Sequence, residues 1–421
     1  MHLPTIHLPT LLSLALLSSA TSSAPPNPSF AGINLPQLQY LTPSARDATI
    51  LSLVASNVRV IRLQLRPTSL HTDFEPTLGT FDKSLLDQTD DALAAIHRLS
   101  GGRIKVVLAP HDAGALLPGG EVPCDAYCEG LGGAYLDFYS GEEWREKYWT
   151  RLEVLLRHYP SKNFGGRGWG ELDEVIMAVD IQSRPFAPIH PIPAGEPWLC
   201  ATATYLRTLL SPSIGVSSGG VSGTLSPGGT ENAPAAVLKC DAIDIVGVHA
   251  GPQLSSSGLA ALEDVMAEAQ ERAEARDAGA KPKLLLVESW TGPHDADALA
   301  AQARALDERG IPWLYTHVPP SNTSSASASP PTTPFTPAAL AAPCAHAASS
   351  RARAGWAAYL PPLSSLPPLP LVAAQAQADG GADGKAGTEE GAVDMNALLQ
   401  GMLGMDLNMS AEAVAKAVKG L

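Results

Sequence analysis

Eight short apolar runs, separated by longer segments of mixed polarity, set the strongest limit on what this chain can fold into. The runs, which we interpret as strands, are residues 31–34, 58–65, 104–108, 175–180, 214–217, 243–249, 284–288 and 313–317. Helical periodicity marks residues 44–55, 83–99, 141–158, 259–275 and 295–309, with Ser44 and Asp295 as N-caps and Gly310 as a C-terminal stop. Strands that alternate with helices predict an α/β fold, and eight of them predict a (β/α)8 TIM barrel. A doubly wound sheet is the alternative, but residues 34–37 (NLPQ) are not the glycine-rich phosphate turn it requires after the first strand.

The two ends of the chain differ from this core. Residues 1–24 contain an apolar stretch followed by small residues at Ala20 and Ala24, which predicts a secretory signal peptide. The absence of Lys and Arg before that stretch leaves a disordered apolar leader as the alternative. The barrel domain is predicted for residues 25–371, with a Ser/Thr/Pro-rich loop at 319–337 and with Trp356 and Tyr359 packing inward. Residues 372–421 are predicted to form a low-complexity C-terminal extension, a flexible linker with a short amphipathic tail.

Charge and cysteine content limit the partners. The chain of 421 residues has 28 Lys and Arg against 42 Asp and Glu, a formal net charge of -14, which argues against nucleic acid and anionic membranes. No later segment reaches the ~18 apolar residues of a membrane span, so we expect a secreted, soluble and monomeric protein. Export permits disulfides, and we expect the pairs Cys124–Cys128 and Cys200–Cys240 with Cys344 left over. The cysteine spacing resembles no zinc site, and no metal or cofactor is expected.

Polar and aromatic residues gather at the predicted carboxyl ends of the strands, where a barrel of this type carries its active site. They are Arg62, His111, Asp112, Ser183, Arg184, His249, Glu288, Trp290, Tyr315 and His317. A carboxylate, imidazoles, an arginine and aromatic rings around one opening suit a sugar. The sequence therefore predicts a polysaccharide or oligosaccharide as the ligand.

Several of these segments together resemble a known family. They are residues 32–34 (GIN), 58–63 (VRVIRL), 107–112 (VLAPHD), 180–185 (DIQSRP), 240–249 (CDAIDIVGVH), 287–290 (VESW) and 312–315 (PWLY). In order and placement they resemble glycoside hydrolase family 5 of clan A, especially its fungal secreted β-mannanase and β-glucanase-like branches.

The resemblance implies a mechanism and a role for each residue. It implies retaining hydrolysis of mannan- or glucan-type polysaccharides through two carboxylates. Glu288 would occupy the nucleophile position, and Arg62 would hydrogen-bond that carboxylate and keep it ionised. The remaining residues would bind the sugar. They are His111, Ser183, His249, Trp290 and Tyr315.

The sequence departs from the family at the fourth strand. The family has Asn-Glu-Pro there, with the Glu as acid/base, whereas this chain has Ser183, Arg184 and Pro185. Arginine stays protonated, so Arg184 occupies the acid/base position without being competent for it. We expect impaired hydrolysis, and we expect Arg184 to lower the pKa of Glu288 or to pair with it.

Two versions of the function remain open at this point. In one, Glu288 still acts as an enzyme nucleophile, and Asp180 or a loop residue supplies the proton. In the other, the protein is a non-catalytic carbohydrate-binding pseudoenzyme or a protein-interaction barrel. If only the acid/base group is missing, Ser183→Asn together with Arg184→Glu would raise activity on polymer by at least ~10²-fold.

One motif points to a different chemistry. Residues 215–219 (GVSSG) fit the Gly-x-Ser-x-Gly pattern of α/β-hydrolases, and Asp244 and His249 follow in the matching order. The motif leads into a Gly/Ser-rich loop rather than into the helix that a nucleophile elbow requires. We therefore reject an esterase.

Overall fold

The computed structural model describes residues 27–369 except 121, 188, 190–196, 226–230, 252–253, 255, 275–282, 294, 317–336 and 354. Eight parallel strands close into one barrel in the order of the chain, from β1 to β8. They are β1 (Ala31–Asn34), β2 (Val60–Gln64), β3 (Lys105–Ala109), β4 (Ile176–Asp180), β5 (Gly215–Ser217), β6 (Ile245–Ala250), β7 (Leu284–Trp290) and β8 (Trp313–Tyr315). Since β8 pairs with β1, the predicted TIM barrel is confirmed and the open doubly wound sheet is excluded.

Helices surround the barrel. They are α1 (Pro43–Ala55), α2 (Lys83–Ser100), α3 (Ala126–Leu131), α4 (Asp137–Ser140), α5 (Glu142–Glu153), α6 (Trp198–Leu209), α7 (Ala235–Leu238), α8 (Ser256–Glu274), α9 (Ala296–Glu308) and α10 (Ala341–Ser349). Asp295 caps α9 as predicted, and Gly310 follows that helix with a left-handed φ of 66°. The predicted cap at Ser44 is wrong: Thr42 accepts the hydrogen bond from the Ala45 amide, because Pro43 already fills the first helical position.

Side chains that point into the barrel form two levels of different character. Toward the amino ends of the strands the interior is apolar, with Val60, Ile245 and Leu286 in one cluster. The segment after α10 closes this end, where Trp356 packs edge-to-face on Phe30 at 5.0 Å between ring centroids. Toward the carboxyl ends the interior residues are polar, and these form the candidate site described below. Because this apolar cluster fills the amino end of the barrel interior, the polar side chains lie at the carboxyl end.

The disulfides Cys124–Cys128 and Cys200–Cys240 are both present, as predicted, and Cys344 is a buried free thiol on α10. The first disulfide constrains the loop that follows β3, and the second links α6 covalently to the segment before β6. No helix in the described ranges is long and apolar enough to cross a membrane. The predicted leader, the Ser/Thr/Pro-rich loop up to residue 336, the C-terminal extension and His317 lie outside the described residues.

Candidate active site

A layer of polar side chains crosses the barrel interior at the carboxyl ends of the strands. It consists of Asn34 on β1, Arg62 on β2, Asp180 on β4, Ser217 on β5 and Glu288 on β7. Each of these residues is at most 6% exposed, and the last four are 0% exposed. Buried charges are stable only when they are paired or hydrogen-bonded, so the contacts within the layer decide its protonation state.

Arg62 is the cation of this layer, and its main partner is Asp180. Its Nη2 and Nε donate to Asp180 Oδ2 at 2.6 and 3.0 Å, and its Nη1 donates to Asn34 Oδ1 at 3.3 Å. Although burial alone lowers the pKa of Arg62, the charge of Asp180 raises it above its usual value. Arg62 therefore donates two hydrogen bonds to the Asp180 carboxylate, in place of the predicted hydrogen bond to Glu288.

Glu288 lies against Ser217, Gly247 and the Asn34 side chain. The Ser217 hydroxyl donates to Glu288 Oε1, and Asn34 Nδ2 donates to the Glu288 carbonyl at 2.8 Å. A Cβ atom on Gly247 would overlap the Glu288 carboxyl group, so the glycine makes the space that this side chain occupies. The other oxygen, Oε2, lies 3.9 Å from His249 Nε2 and accepts no hydrogen bond from any nitrogen or hydroxyl donor in the described ranges.

Asp180 and Glu288 are neighbouring carboxyl groups, and Arg62 donates its hydrogen bonds to Asp180 of the two. Asp180 Oδ1, like Glu288 Oε2, has no nitrogen or hydroxyl donor in the described part of the chain. The two carboxyl groups are close enough to shift each other's pKa, and a neutral Glu288 beside Asp180 avoids placing two negative charges together. Burial, and then the charge of Asp180, raise the pKa of Glu288 well above its usual value. The expectation that Arg184 lowers this pKa is wrong: the cation that acts to lower it is Arg62, and burial and the charge of Asp180 outweigh that effect.

His249 borders this pair but is not positively charged. Burial, and then the charges of Arg62 and Arg184, hold the pKa of His249 well below its usual value. The imidazole ring packs on Gly220, where a Cβ atom would overlap it. His249 is 7% exposed and so separates Glu288 from the outside.

Three residues predicted to line a sugar subsite are instead buried in packing. His111, 1% exposed, bonds Asp125 Oδ2 through Nε2 at 2.7 Å and Gln182 Nε2 through Nδ1 at 2.9 Å. Trp290 and Tyr315 are 0% exposed, and their rings meet edge-to-face at 6.0 Å. Since stacking on a sugar needs an accessible ring face, these aromatics form the wall of the barrel in this structure.

The segment after β4 places Ser183 and Arg184 against the segment that follows β3. Ser183 continues the pairing with the segment after β3: its amide donates to the His111 carbonyl at 2.8 Å. Arg184 has a left-handed φ of 56°, and its Nη2 and Nε donate to Asp112 Oδ1 at 2.7 and 3.2 Å. The expected ion pair of Arg184 with Glu288 is not formed, because Asp112 takes the guanidinium instead.

Sequence reasoning missed three groups that define the surroundings of Glu288. Ser217 was read only as part of a false esterase motif, although a serine at a strand end is a normal hydrogen-bond donor into a barrel. Gly247 stands alone within the apolar run of β6, a pattern that indicates a close approach by another group. Asn34, at the end of β1, links Arg62 to the Glu288 backbone.

The residues of this layer are not arranged to coordinate a metal ion. In the described ranges no group of three His, Cys, Asp or Glu side chains is placed to hold a metal ion. A nucleophile must be ionised and must reach the substrate at about 3–3.5 Å. In this structure Glu288 is fully buried, and its raised pKa disfavours the ionised form.

Comparisons with known proteins support the fold. No protein-family model and no curated protein matches the sequence. The structure is similar to an endo-1,4-β-mannanase from Rhizomucor miehei, with a TM-score of 0.56, 17% identity, and coverage of 76% of this chain and 94% of that chain. It is also similar to an endo-β-1,4-mannanase from Thermotoga petrophila, with a TM-score of 0.55, 16% identity, and coverage of 69% and 68%. The barrel fold implied by the resemblance to glycoside hydrolase family 5 is thus confirmed.

Proposed function

We propose that this chain is an exported, non-hydrolytic barrel that binds β-linked glycan of the mannan or glucan type. The observation that carries the proposal is the state of Glu288. Its carboxyl group is buried inside the barrel and accepts a hydrogen bond from Ser217, and burial together with the charge of Asp180 raises its pKa well above the usual value. A neutral, enclosed carboxyl group cannot attack an anomeric carbon, so the first step of a retaining mechanism is blocked.

The acid/base position supports the same conclusion. Arg184 cannot give up its proton, and its guanidinium donates a hydrogen bond to Asp112 at 2.7 Å. Asp180, the other carboxyl group of the layer, is held by Arg62 at 2.6 Å and is as buried as Glu288. Neither group is therefore placed to protonate a leaving oxygen.

Glycan binding rests on the fold and on the polar rim. The solved structures with the same fold include endo-1,4-β-mannanases. At the carboxyl end of the barrel this chain presents the partly exposed side chains of Arg66 and Arg184, which can hydrogen-bond sugar hydroxyl groups. Two disulfides and the predicted leader support export.

The test measures hydrolysis and binding with the same full-length preparation. An aryl β-mannoside, an aryl β-glucoside and the matching polymers are each assayed with wild type and with Glu288→Ala. We expect no turnover of either aryl substrate by wild type, while calorimetry detects binding of β-1,4-linked oligosaccharides. Turnover by wild type that is lost in Glu288→Ala would contradict the proposal and support a retaining enzyme. Absence of oligosaccharide binding would contradict the glycan-binding part.

The motif-repair variant gives a sharper version of the test. Ser183→Asn together with Arg184→Glu restores the family's residues at the fourth strand. Because Glu288 stays sealed and protonated, we now expect this double variant to remain inactive on polymer. A gain of ~10²-fold, the low end of what an acid/base group contributes, would show that Glu288 is a competent nucleophile after all.

A further inference from the structure

A cavity lies beside the polar rim, between the segments that follow β2 and β3. It has a volume of about 280 Å³ and is lined by residues 67–73, 75–76, 123–126 and 129. Both segments belong to the carboxyl end of the barrel, where ligands bind in this fold. None of the described lining residues belongs to the buried layer around Glu288. This side cavity, as we call it, is therefore a separate place at which a ligand can bind.

One wall of the side cavity carries an aromatic ring that is supported from behind. His71 lines the cavity, and its imidazole stacks on the Tyr40 ring with 4.1 Å between the centroids and 10° between the planes. Thr68 fixes the backbone there, because its hydroxyl accepts the His71 amide at 3.0 Å. Leu70, which also lines the cavity, is 51% exposed. Since Tyr40 covers one face of the imidazole, the opposite face is the one that a ligand in the cavity can contact.

The floor and the opposite wall of the side cavity are held in place before any ligand arrives. At the floor, Arg151 Nη1 bonds Asp73 Oδ1 at 2.7 Å and Glu75 Oε2 at 3.2 Å, and all three side chains are at most 2% exposed. On the opposite wall, Asp125 Oδ1 accepts the Cys128 amide at 2.9 Å, inside the loop that the first disulfide closes. A preformed cavity loses less conformational entropy on binding, which favours recognition of a ligand.

The lining combines hydroxyl groups with carboxyl groups, and its described members include no lysine or arginine. The hydroxyl groups are those of Thr68, Ser69 and Thr72, and the carboxyl groups are those of Asp73, Glu75, Asp125 and Glu129. Arg151 bonds two of these acids from beneath the floor, whereas Glu129 is exposed. Carboxylate and hydroxyl oxygens accept hydrogen bonds from the hydroxyl groups of a sugar, but a carboxylate repels an acidic sugar. The lining therefore favours a neutral polyhydroxylated ligand.

We infer that the side cavity binds one neutral pyranose unit of the glycan, with the C–H face of the sugar on His71 and its hydroxyl groups toward Thr72 and Glu129. The inference rests on the proposed glycan binding, and it gives that binding a place away from Glu288. The C–H bonds on a pyranose face carry partial positive charge and the face of an aromatic ring carries partial negative charge, so the two attract each other. The size suits one unit of a longer chain, since pockets that enclose a drug-sized ligand measure about 300–1,000 Å³.

Calorimetry with two oligosaccharides of equal length tests the neutral ligand. β-1,4-linked mannohexaose and β-1,4-linked hexamannuronate have the same linkage and ring stereochemistry and differ in the carboxylate. We expect the full-length protein at low salt to bind mannohexaose about fivefold more tightly, because two like charges 4 Å apart in water cost about 1 kcal/mol. Glu129→Gln should reduce this difference, since it removes the exposed carboxylate of the cavity and keeps the shape of the side chain.

Variants of His71 test the place of binding. His71→Ala should weaken mannohexaose binding about fivefold, because contact with an aromatic face contributes about 0.5–1.5 kcal/mol. His71→Phe keeps the ring face and should bind within about twofold of wild type. His158→Ala, which removes a 59% exposed histidine outside the cavity, is the matched control and should bind like wild type. An unchanged melting temperature of each variant confirms that the barrel is folded.

The outcomes separate this inference from the proposed function. Unchanged mannohexaose binding in folded His71→Ala, or binding by His71→Phe as weak as that by His71→Ala, would overturn the side cavity as the site and leave glycan binding intact. Hexamannuronate binding as tight as mannohexaose binding, or tighter, would overturn the neutral ligand. Binding of neither oligosaccharide would overturn the proposed function and this inference with it.

Discussion

Two charged clusters near the carboxyl end of the barrel both pair arginine with carboxylate, but they differ in how far they are buried. Inside, Arg62 and Asp180 form an ion pair at 2.6 Å in which both side chains are 0% exposed, with Glu288 beside them. Beyond the strand ends, a rim cluster of Arg66, Asp112 and Arg184 pairs Arg184 with Asp112 at 2.7 Å, and its arginines Arg184 and Arg66 remain 29% and 23% exposed. The two clusters therefore differ in burial: the charges of the interior layer are enclosed, whereas the arginines of the rim cluster are partly open to solvent.

The largest expected effect comes from removing the interior cation. Arg62→Met leaves Asp180 and Glu288 buried with no cation bonded to them, and breaking such a pair costs about 3–5 kcal/mol of unfolding free energy. Denaturant unfolding measures the loss. Arg66→Met is the control from the rim, where a partly exposed pair with a second arginine on the same carboxylate should cost about 1 kcal/mol or less. Equal losses in the two variants would contradict the distinction between a structural interior and an open rim.

A smaller difference is expected from adding one methyl group in each cluster. Gly247→Ala pushes on the Glu288 carboxyl group, which is confined on all sides, so we expect a loss of about 1–3 kcal/mol by overpacking. Gly114→Ala pushes on the end of the flexible, partly exposed Arg184 side chain, so its cost should stay below about 1 kcal/mol. Thermal unfolding of both variants checks the order. A larger loss for Gly114→Ala would mean that the rim is the more tightly packed of the two clusters.

The pH dependence of stability separates the clusters further. A glutamate whose pKa is raised by folding stabilises the folded state fully below its unfolded pKa of about 4.3, and this contribution is lost as the pH rises through the folded pKa. Burial raises the pKa of Glu288 in this direction, so wild type should lose stability from mildly acidic toward alkaline pH. Glu288→Gln keeps a donor toward Asp180 without a titrating proton, and its stability should fall less over the same window. Parallel pH profiles for the two proteins would show that Glu288 is not protonated in the folded state.

The fold could be predicted from the sequence because each strand and helix has its own sequence pattern. Apolar runs such as residues 175–180 and 284–288 mark buried strands, and Asp295 and Gly310 mark the ends of one helix. Trp356 was expected to pack inward, and it closes the barrel floor. The one wrong cap, Ser44, arose because Pro43 at the first helical position was overlooked.

Only some of the contacts within the site could be predicted from the sequence. The position of Glu288 at the end of β7 follows from the sequence, but its neighbours depend on how far each side chain reaches across the barrel. Arg62 was therefore assigned to the wrong carboxylate, and the left-handed turn that carries Arg184 toward Asp112 has no signature in residues 183–185. His111 was placed in the site because it follows a strand, whereas its buried partner Asp125 lies 14 residues further along the segment after β3, which no pattern in the sequence brings back to it.

The most direct test of the central claim is the titration of Glu288 itself. Carbon-13 NMR of protein labelled at glutamate side-chain carboxyl groups follows each one through the pH range, and the signal absent from Glu288→Gln identifies residue 288. We predict that this signal stays in its protonated position at neutral pH, because burial and the charge of Asp180 raise the pKa of Glu288 well above its usual value. A Glu288 signal in the ionised position at neutral pH would contradict the account.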